Sequence, residues 1–297
     1  MKQRTKTGLR AAAGMAVLGM ILCAIPLGLV GFDPARLSVP AAGKQEELVR
    51  SFSPEGVDRV VIDTAFNNVT LLPSPDGQFH LRCYNGGSVT YNAAVNGTEL
   101  QIRQTPITSP RLPSWFQFNL DWNRSQDLSL SIPDGFTGDL LLELGAGNVV
   151  LDNGLSLDGA LDAILGAGNF FAGSLTARSI TVQCGAGNVT GRNWQISRYA
   201  ALNADAGDIR LSQVSVPDAV WNAGAGAIAF DGLTAGHIEA SSGVGSISGT
   251  IRGSESDYTI DAKTGMGSCN LTSRQGTTDQ TLRLSCGAGN IQVEFLP

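Results

Sequence analysis

Positive charge is scarce in this chain, above all beyond its first residues. Charged residues make up 15% of 297 positions, and Lys263 is the single lysine after residue 44. Residues 1–44 hold six Lys/Arg and one Asp, so residues 45–297 carry 20 − 6 = 14 cations against 26 − 1 = 25 anions, a balance of −11. So acidic a segment repels nucleic acid and anionic wall polymers, and no basic stripe offsets it. No nucleic-acid partner is expected. Histidine is nearly absent. His80 and His237 lie in different regions, which argues against a His-based triad or a His-rich metal site. The five cysteines, Cys23, Cys83, Cys184, Cys269 and Cys286, show no C-x-x-C spacing. No G-x-x-x-x-G-K-[ST] loop occurs. No metal, cofactor or catalytic residue is therefore assigned. Helical periodicity is missing beyond the N-terminus, while a hydrophobic content of 42% is ample for a core and excludes wholesale disorder.

What the chain has instead is glycine, 37 of them, in a repeated phrase. GAGN or a variant begins at Gly145, Gly166, Gly185, Asp205, Gly224, Gly243, Gly265 and Gly287, at spacings of 21, 19, 20, 19, 19, 22 and 22 residues. A period near twenty marks a solenoid. The residues before each phrase alternate with period two, as in Leu140/Leu142/Leu144 and Ile180/Val182/Cys184, so one strand face points inward in every coil. An apolar residue follows every phrase, from Val149 and Phe170 to Ile291, so a second strand starts at once. A third short segment (Leu155, Leu175, Trp194, Val214, Leu233) closes the coil. The turn residues have structural work to do. Gly145, Gly147, Gly166, Gly168, Gly185, Gly187, Gly287 and Gly289 permit positive φ and close backbone approach. Ala146, Ala167 and Ala186 are expected to be small because the turn interior is tight. Asn148, Asn169, Asn188 and Asn290 tolerate left-handed geometry, and their amides can bond up a column. Asp205, Ala227 and Ser246 depart from the phrase, so the ladder is expected to fail beyond the third coil. The expected fold is all-β: a right-handed parallel β-solenoid (β-helix) of about eight coils behind one N-terminal transmembrane helix.

The N-terminus supplies that helix. Residues 1–10 form a basic cytoplasmic flank, and 11–32 is an uncharged run of 22 residues, long enough to span a hydrocarbon core of roughly 20 helical residues. The basic flank places the rest outside the cell, anchored in a bacterial membrane. Residues 33–56 read as a stalk, 57–135 as an irregular β region that caps the stack, and 136–297 as the solenoid. Phe66-Asn67-Asn68-Val69 is a degenerate turn phrase, so the stack can begin there. Pro110–Arg124 stands apart: Trp115, Phe116, Phe118 and Trp122 fall within eight residues. They either pack over the end of the stack or bind a partner. After Gly289 only NIQVEFLP remains, so the C-terminal coil reads as a thinly capped end open to self-association. The cysteines read as buried apolar fillers, with a Cys269–Cys286 bridge conceivable.

One pair of acids could do chemistry. Glu239 and Asp261 fall at the same repeat position on what the sequence reads as successive coils, about 5 Å apart, within retaining-glycosidase reach. An exposed charge column in which Arg283 relieves Asp261 is the preferred reading, because no further acids, aromatics or arginines converge there. The order of features, with a basic start, one span, VIDTAFNNVTLLP, LSLSIP and then GAGNV repeats, resembles the bacterial putative-adhesin family, a domain of unknown function built of β-strand repeats on envelope proteins. The resemblance implies no catalytic residues. It implies a non-enzymatic surface binding or adhesion module, whose partner is a surface protein or glycan, or an accessory of envelope-stress or membrane signalling. A self-assembling envelope protein and a polysaccharide-cleaving enzyme are the remaining readings.

Overall fold

The computed structural model describes residues 46–85, 89–106 and 127–297. Among them no helix is long and apolar enough to cross a membrane; the expected anchor lies outside the described residues. The strands run in chain order as β1 (Glu46–Phe52), β2 (Arg59–Phe66), β3 (Val69–Pro73), β4 (Phe79–Asn85), β5 (Val89–Asn96), β6 (Glu99–Pro106) and β7 (Leu128–Ile132). Then come β8 (Asp139–Ala146), β9 (Val149–Leu151), β10 (Leu155–Ser156), β11 (Ala160–Ala167), β12 (Phe170–Ala172) and β13 (Leu175–Ala186). The long strands β14 (Val189–Ala206), β15 (Ile209–Ala225) and β16 (Ile228–Val244) bend round corners of the coil. β17 (Ile247–Arg252), β18 (Thr259–Met266), β19 (Thr281–Ala288) and β20 (Ile291–Leu296) complete the chain.

These strands form an all-β solenoid with parallel ladders on its sides. The first ladder runs in space β6, β2, β8, β11, β13, β14, β15, β16, β19, β18. The second, beyond the turn phrase, runs β7, β3, β9, β12, β14, β15, β16, β17, β20. On the third side Leu155 pairs with Leu175, Leu175 with Trp194 and Trp194 with Val214, the short closing segment that the pattern predicts. The interior is predominantly apolar: Leu161, Ile180, Leu202 and Ile238 are buried. Trp194 stands edge-on to Phe170 at 6.5 Å and donates its indole N–H to the Ala172 carbonyl at 3.3 Å.

The turn phrase stacks rung on rung. At Gly168 and Gly187 φ is +133° and +142°, and a Cβ would stand 1.9 Å from the carbonyl oxygen of the preceding rung. The alanine between the glycines is not where space is tight. Ala167, Ala186, Ala206 and Ala225 are exposed, and their column ends in Phe66, Val244 and Met266 at 63%, 63% and 71% exposure. Smallness is demanded of the second glycine, whereas the middle position faces solvent.

The asparagine column is longer than the sequence suggests. Each Oδ1 accepts both the backbone and amide N–H of the next rung, from Asn68 to Asn148 to Asn169 to Asn188, at 2.9–3.1 Å. Asp208 continues it, since a carboxylate accepts as well as an amide: its N–H donates to Asn188 and its Oδ1 accepts from Ala227 N–H at 2.7 Å. Ala227 has no acceptor to offer and breaks the column. It resumes as Ser246, Asn290 and Ser268.

Both ends of the stack differ from the sequence reading. Residues 46–52, assigned to a stalk, form a strand antiparallel to β4, which is itself antiparallel to β7. Within 57–135, β2 and β3 are regular rungs between β6 or β7 and β8 or β9. At the other end the C-terminal coil is not the end. β19 lies between β16 and β18, and β20 lies between β17 and Cys269. Side-chain volume explains the order. Leu282, Leu284, Cys286, Ile291 and Val293 are all at or below 2% exposure, while Ala262, Thr264, Cys269 and Leu271 of the outermost coil are half-buried. The more apolar coil takes the interior place. The open edge of β18 is partly covered by the returning chain: Ile260 and Arg274 exchange backbone hydrogen bonds at 2.8 and 2.9 Å, and Gly276 N–H donates to Thr259 Oγ1. β19 is thus paired on both sides, and β20 is paired along β17 and bridged at Ile291 to Cys269, so the C-terminal coil is an interior rung.

Candidate functional site

Period-two strands put alternate side chains of the first ladder outside, and parallel register lines them into columns. One column reads Gln101, Val61, Leu141, Asp162, Thr181, Ala201, Val220, Glu239, Arg283, Asp261. Its neighbour carries Gln183, Asn203, Asn222, Ser241, Ser285 and Lys263 in register. Leu141 is half-buried, and Val61 beside it is buried.

The face divides by charge. From β13 to β15 the two columns are neutral, Thr181/Ala201/Val220 and Gln183/Asn203/Asn222, flanked by Asp205 and by Asp218, the register partner of Tyr199; Tyr199 and Val220 are at 37% and 41% exposure. Asn203 donates to Asp205 at 2.8 Å, and Asn222 accepts from Ser241 at 2.6 Å. Tyr199 could not be placed by counting from the turn, because irregularities between Ala177 and Ser179 and between Gln195 and Tyr199 shift the register.

Towards β18 the face becomes charged. A trough of about 350 Å³ is lined by Asp218, His237, Glu239, Thr281 and Arg283 among others, and a second of about 200 Å³ by Glu239, Asp261, Lys263 and Arg283. Here the rung order decides the chemistry. Arg283 pairs in register with Glu239 on one side and Asp261 on the other. The two carboxylates are thus two rungs apart, about 10 Å, with Arg283 on the rung between them. That is not the close pair of a retaining glycosidase, and the expectation of adjacent carboxylates is corrected. Asp261 binds Lys263 at 2.8 Å, and His237 Nδ1 lies 3.2 Å from Thr281 Oγ1.

The structure also joins residues that the sequence keeps apart. His80 Nδ1 is 2.9 Å from Ser51 Oγ, and its Nε2 is 2.7 Å from Asp76 Oδ1. The imidazole bonded to Asp76 holds that carboxyl below its ordinary range, with Gln78 N–H adding to the effect. This is a Ser–His–Asp chain of hydrogen bonds, which the sequence reading did not find. Pairing of β1 with β4 creates it, since Ser51 and His80 are register partners, and no local spacing reveals it. Ser51 is exposed on its strand. An acyl-transfer site also needs preformed donors for the oxyanion, and a hydroxyl standing in solvent does not exclude water.

The thiols are structural. Cys184 donates to Gly168 O and Cys286 to Gly245 O, each at 3.0 Å. Ser242 does the same to Gly226 O and Thr264 to Gly289 O, each at 2.9 Å. A small donor before the turn thus satisfies a turn carbonyl of the adjoining rung. Burial pushes the Cys83 thiol up to about 11 and raises that of Cys184, to which Asp205 adds. Cys83, Cys184, Cys269 and Cys286 are free, so no Cys269–Cys286 bridge forms. Trp115, Phe116, Phe118 and Trp122 lie outside the described residues. Among the described residues, no group of three or more His, Cys, Asp or Glu could hold a metal ion.

The Toastrack DUF4097 family model matches residues 57–296, from the first buried strand to the last. The chain belongs to this family. Among solved structures, the Toastrack chain is similar to a crystal structure named as a putative adhesin from Bacteroides fragilis, at 16% identity and TM-score 0.48, covering 84% of this chain and 98% of that one. A putative adhesin from Parabacteroides distasonis is similar at 14% identity and TM-score 0.48, covering 86% and 98%. A protein from the same organism, named as lipid binding, is similar at 14% identity and TM-score 0.44, covering 84% and 96%. No curated protein matches the Toastrack chain.

Proposed function

We propose that the chain is a non-enzymatic binding module held outside a bacterial cell by one N-terminal span, and that it binds a surface protein or glycan through the neutral part of its first ladder. One observation carries the reading. In a segment whose charge balance is 14 − 25 = −11, the columns Thr181/Ala201/Val220 and Gln183/Asn203/Asn222 carry no charge and run in register. Amide side chains offer donor and acceptor together, and Tyr199 adds an amphipathic ring. Such a surface suits a neutral polar partner, which neither loses solvation of a charge nor meets repulsion. The basic flank and the uncharged residues 11–32 support the anchor and its orientation.

The test uses the full-length chain displayed on its own cells and offered to wall fractions, host surfaces and envelope proteins under photo-cross-linking. A partner captured by the parent chain and lost in Asn203→Asp/Val220→Asp, which puts charge on exposed positions, is the expected result. Capture that survives those changes and is lost in Trp115→Ala/Trp122→Ala would move the binding surface to the aromatic segment. Capture of nothing by the parent chain would overturn the reading.

A further inference from the structure

The chain steps out of register with its own sequence order only once at its C-terminal end, and the step has a hinge. After β17 ends at Arg252, the chain passes over one rung position, builds the outermost coil from Thr259 to Leu271, and then lays β19 and β20 into the place it skipped. Residues 254–297 therefore form a block that holds itself together. β18 pairs with β19, and Cys269 pairs with Ile291. Thr277 N–H donates to Ser256 O at 2.9 Å, and the Ile260–Arg274 pair ties the return segment to β18. The block meets the rest of the stack along one line, β19 on β16 and β20 on β17, reinforced by the Tyr258 hydroxyl on the Ala235 carbonyl at 2.6 Å. The covalent link across that line runs through Gly253, whose φ is +126° and which has no heavy atom within 4 Å of where a Cβ would stand.

The β16–β17 edge takes the more apolar coil, with Leu282 on Ile238 and Leu284 on Ala240 in register. The same block of a second copy meets that requirement by identity. Until the block seats, His237–Val244 of β16 and Ile247–Arg252 of β17 are the strand edge left unpaired, and an unpaired edge is a template for another chain. Exchange of an identical element about a hinge is a low-cost route to a closed dimer.

We propose that the β16–β17 edge is a docking edge for a second copy of this chain, the two copies exchanging residues 254–297 about Gly253. Every contact of the block is kept in the exchanged form, so closed and exchanged states differ at the hinge and in their dependence on concentration. The proposal does not rest on the surface-binding reading.

Ser241 and Ser285 are register partners across the line, about 4.8 Å apart by strand spacing, a separation that a disulfide can bridge. The full-length chain carrying Ser241→Cys and Ser285→Cys in a Cys23→Ser/Cys269→Ser background would be refolded in detergent at increasing concentration, oxidised, and run on a non-reducing gel. A second version lacks Gly253 and Ser254, which shortens the hinge. The expected result is a covalent dimer that rises with concentration and is about tenfold more abundant with the short hinge. The unshortened chain decides alone if the short-hinge version fails to fold. Intramolecular disulfide at every concentration, with native circular dichroism, would overturn the proposal. So would a dimer whose disulfides stay intramolecular, because that dimer is joined elsewhere.

Discussion

At the scale of single residues, the corner of each coil works through one oxygen. Asn169 Oδ1 receives the backbone N–H and the amide of Asn188 at 3.0 and 3.1 Å, and Asp208 shows that a carboxylate serves the same purpose towards Ala227 N–H. The oxygen matters more than the amide nitrogen. Asn169→Ala removes the acceptor for two donors and is expected to cost about 1 kcal/mol. Asn169→Asp keeps the acceptor and should cost less than half as much. Urea midpoints of the two variants check the order, and equal losses would mean that the column adds nothing. The sequence identifies this corner as asparagine-rich but ends the ladder too early. It counts Asp205, Ala227 and Ser246 as departures by residue type and does not count the acceptor that Asp208 offers at the asparagine position.

At the scale of strands, each inward position inferred from alternation in the regular coils is inward in the structure, as at Leu161, Val182 and Leu202. Rung order was less legible. All rungs share one register, turn over turn, so pattern alone cannot choose between β18 and β19 as the neighbour of β16. Only volume separates them, Leu282 and Leu284 against Ala262 and Thr264, and it becomes informative once one asks which coil is the end. The order has an electrostatic signature. Double-mutant cycles should give favourable coupling of roughly 0.2–1 kcal/mol for Glu239 with Arg283 and for Arg283 with Asp261, all exposed. The Glu239–Asp261 cycle should be near zero. Repulsion between those two acids, of the size found for direct neighbours, would restore the sequential order and remove the inserted coil. The Ser51–His80–Asp76 chain was illegible for a related reason: antiparallel pairing of β1 with β4 makes it, across a separation in sequence that carries no periodic signal.

At the scale of the whole stack, each rung touches only its neighbours, so stability is a sum of local and neighbour terms that fades towards the ends. Amide exchange should therefore be slowest in β14, β15 and β16, which are paired on both sides, and fastest in the outermost coil from Thr259 to Gln280. The inserted coil makes this pattern testable in a way that an ordinary solenoid would not. The outermost coil reaches the stack through β19 and β20, so a defect in β19 must be felt beyond it in space, at residues that precede it in sequence. Leu284, 2% exposed, lines that junction. Leu284→Ala is expected to cost about 2–5 kcal/mol locally and to speed exchange in β18 far more than in β9 or β12. Exchange that rises evenly along the chain would mean that the stack opens as one unit. Exchange that rises in β19 and β20 and spares β18 would mean that the outermost coil has support of its own, and the block of residues 254–297 could not then move as one piece.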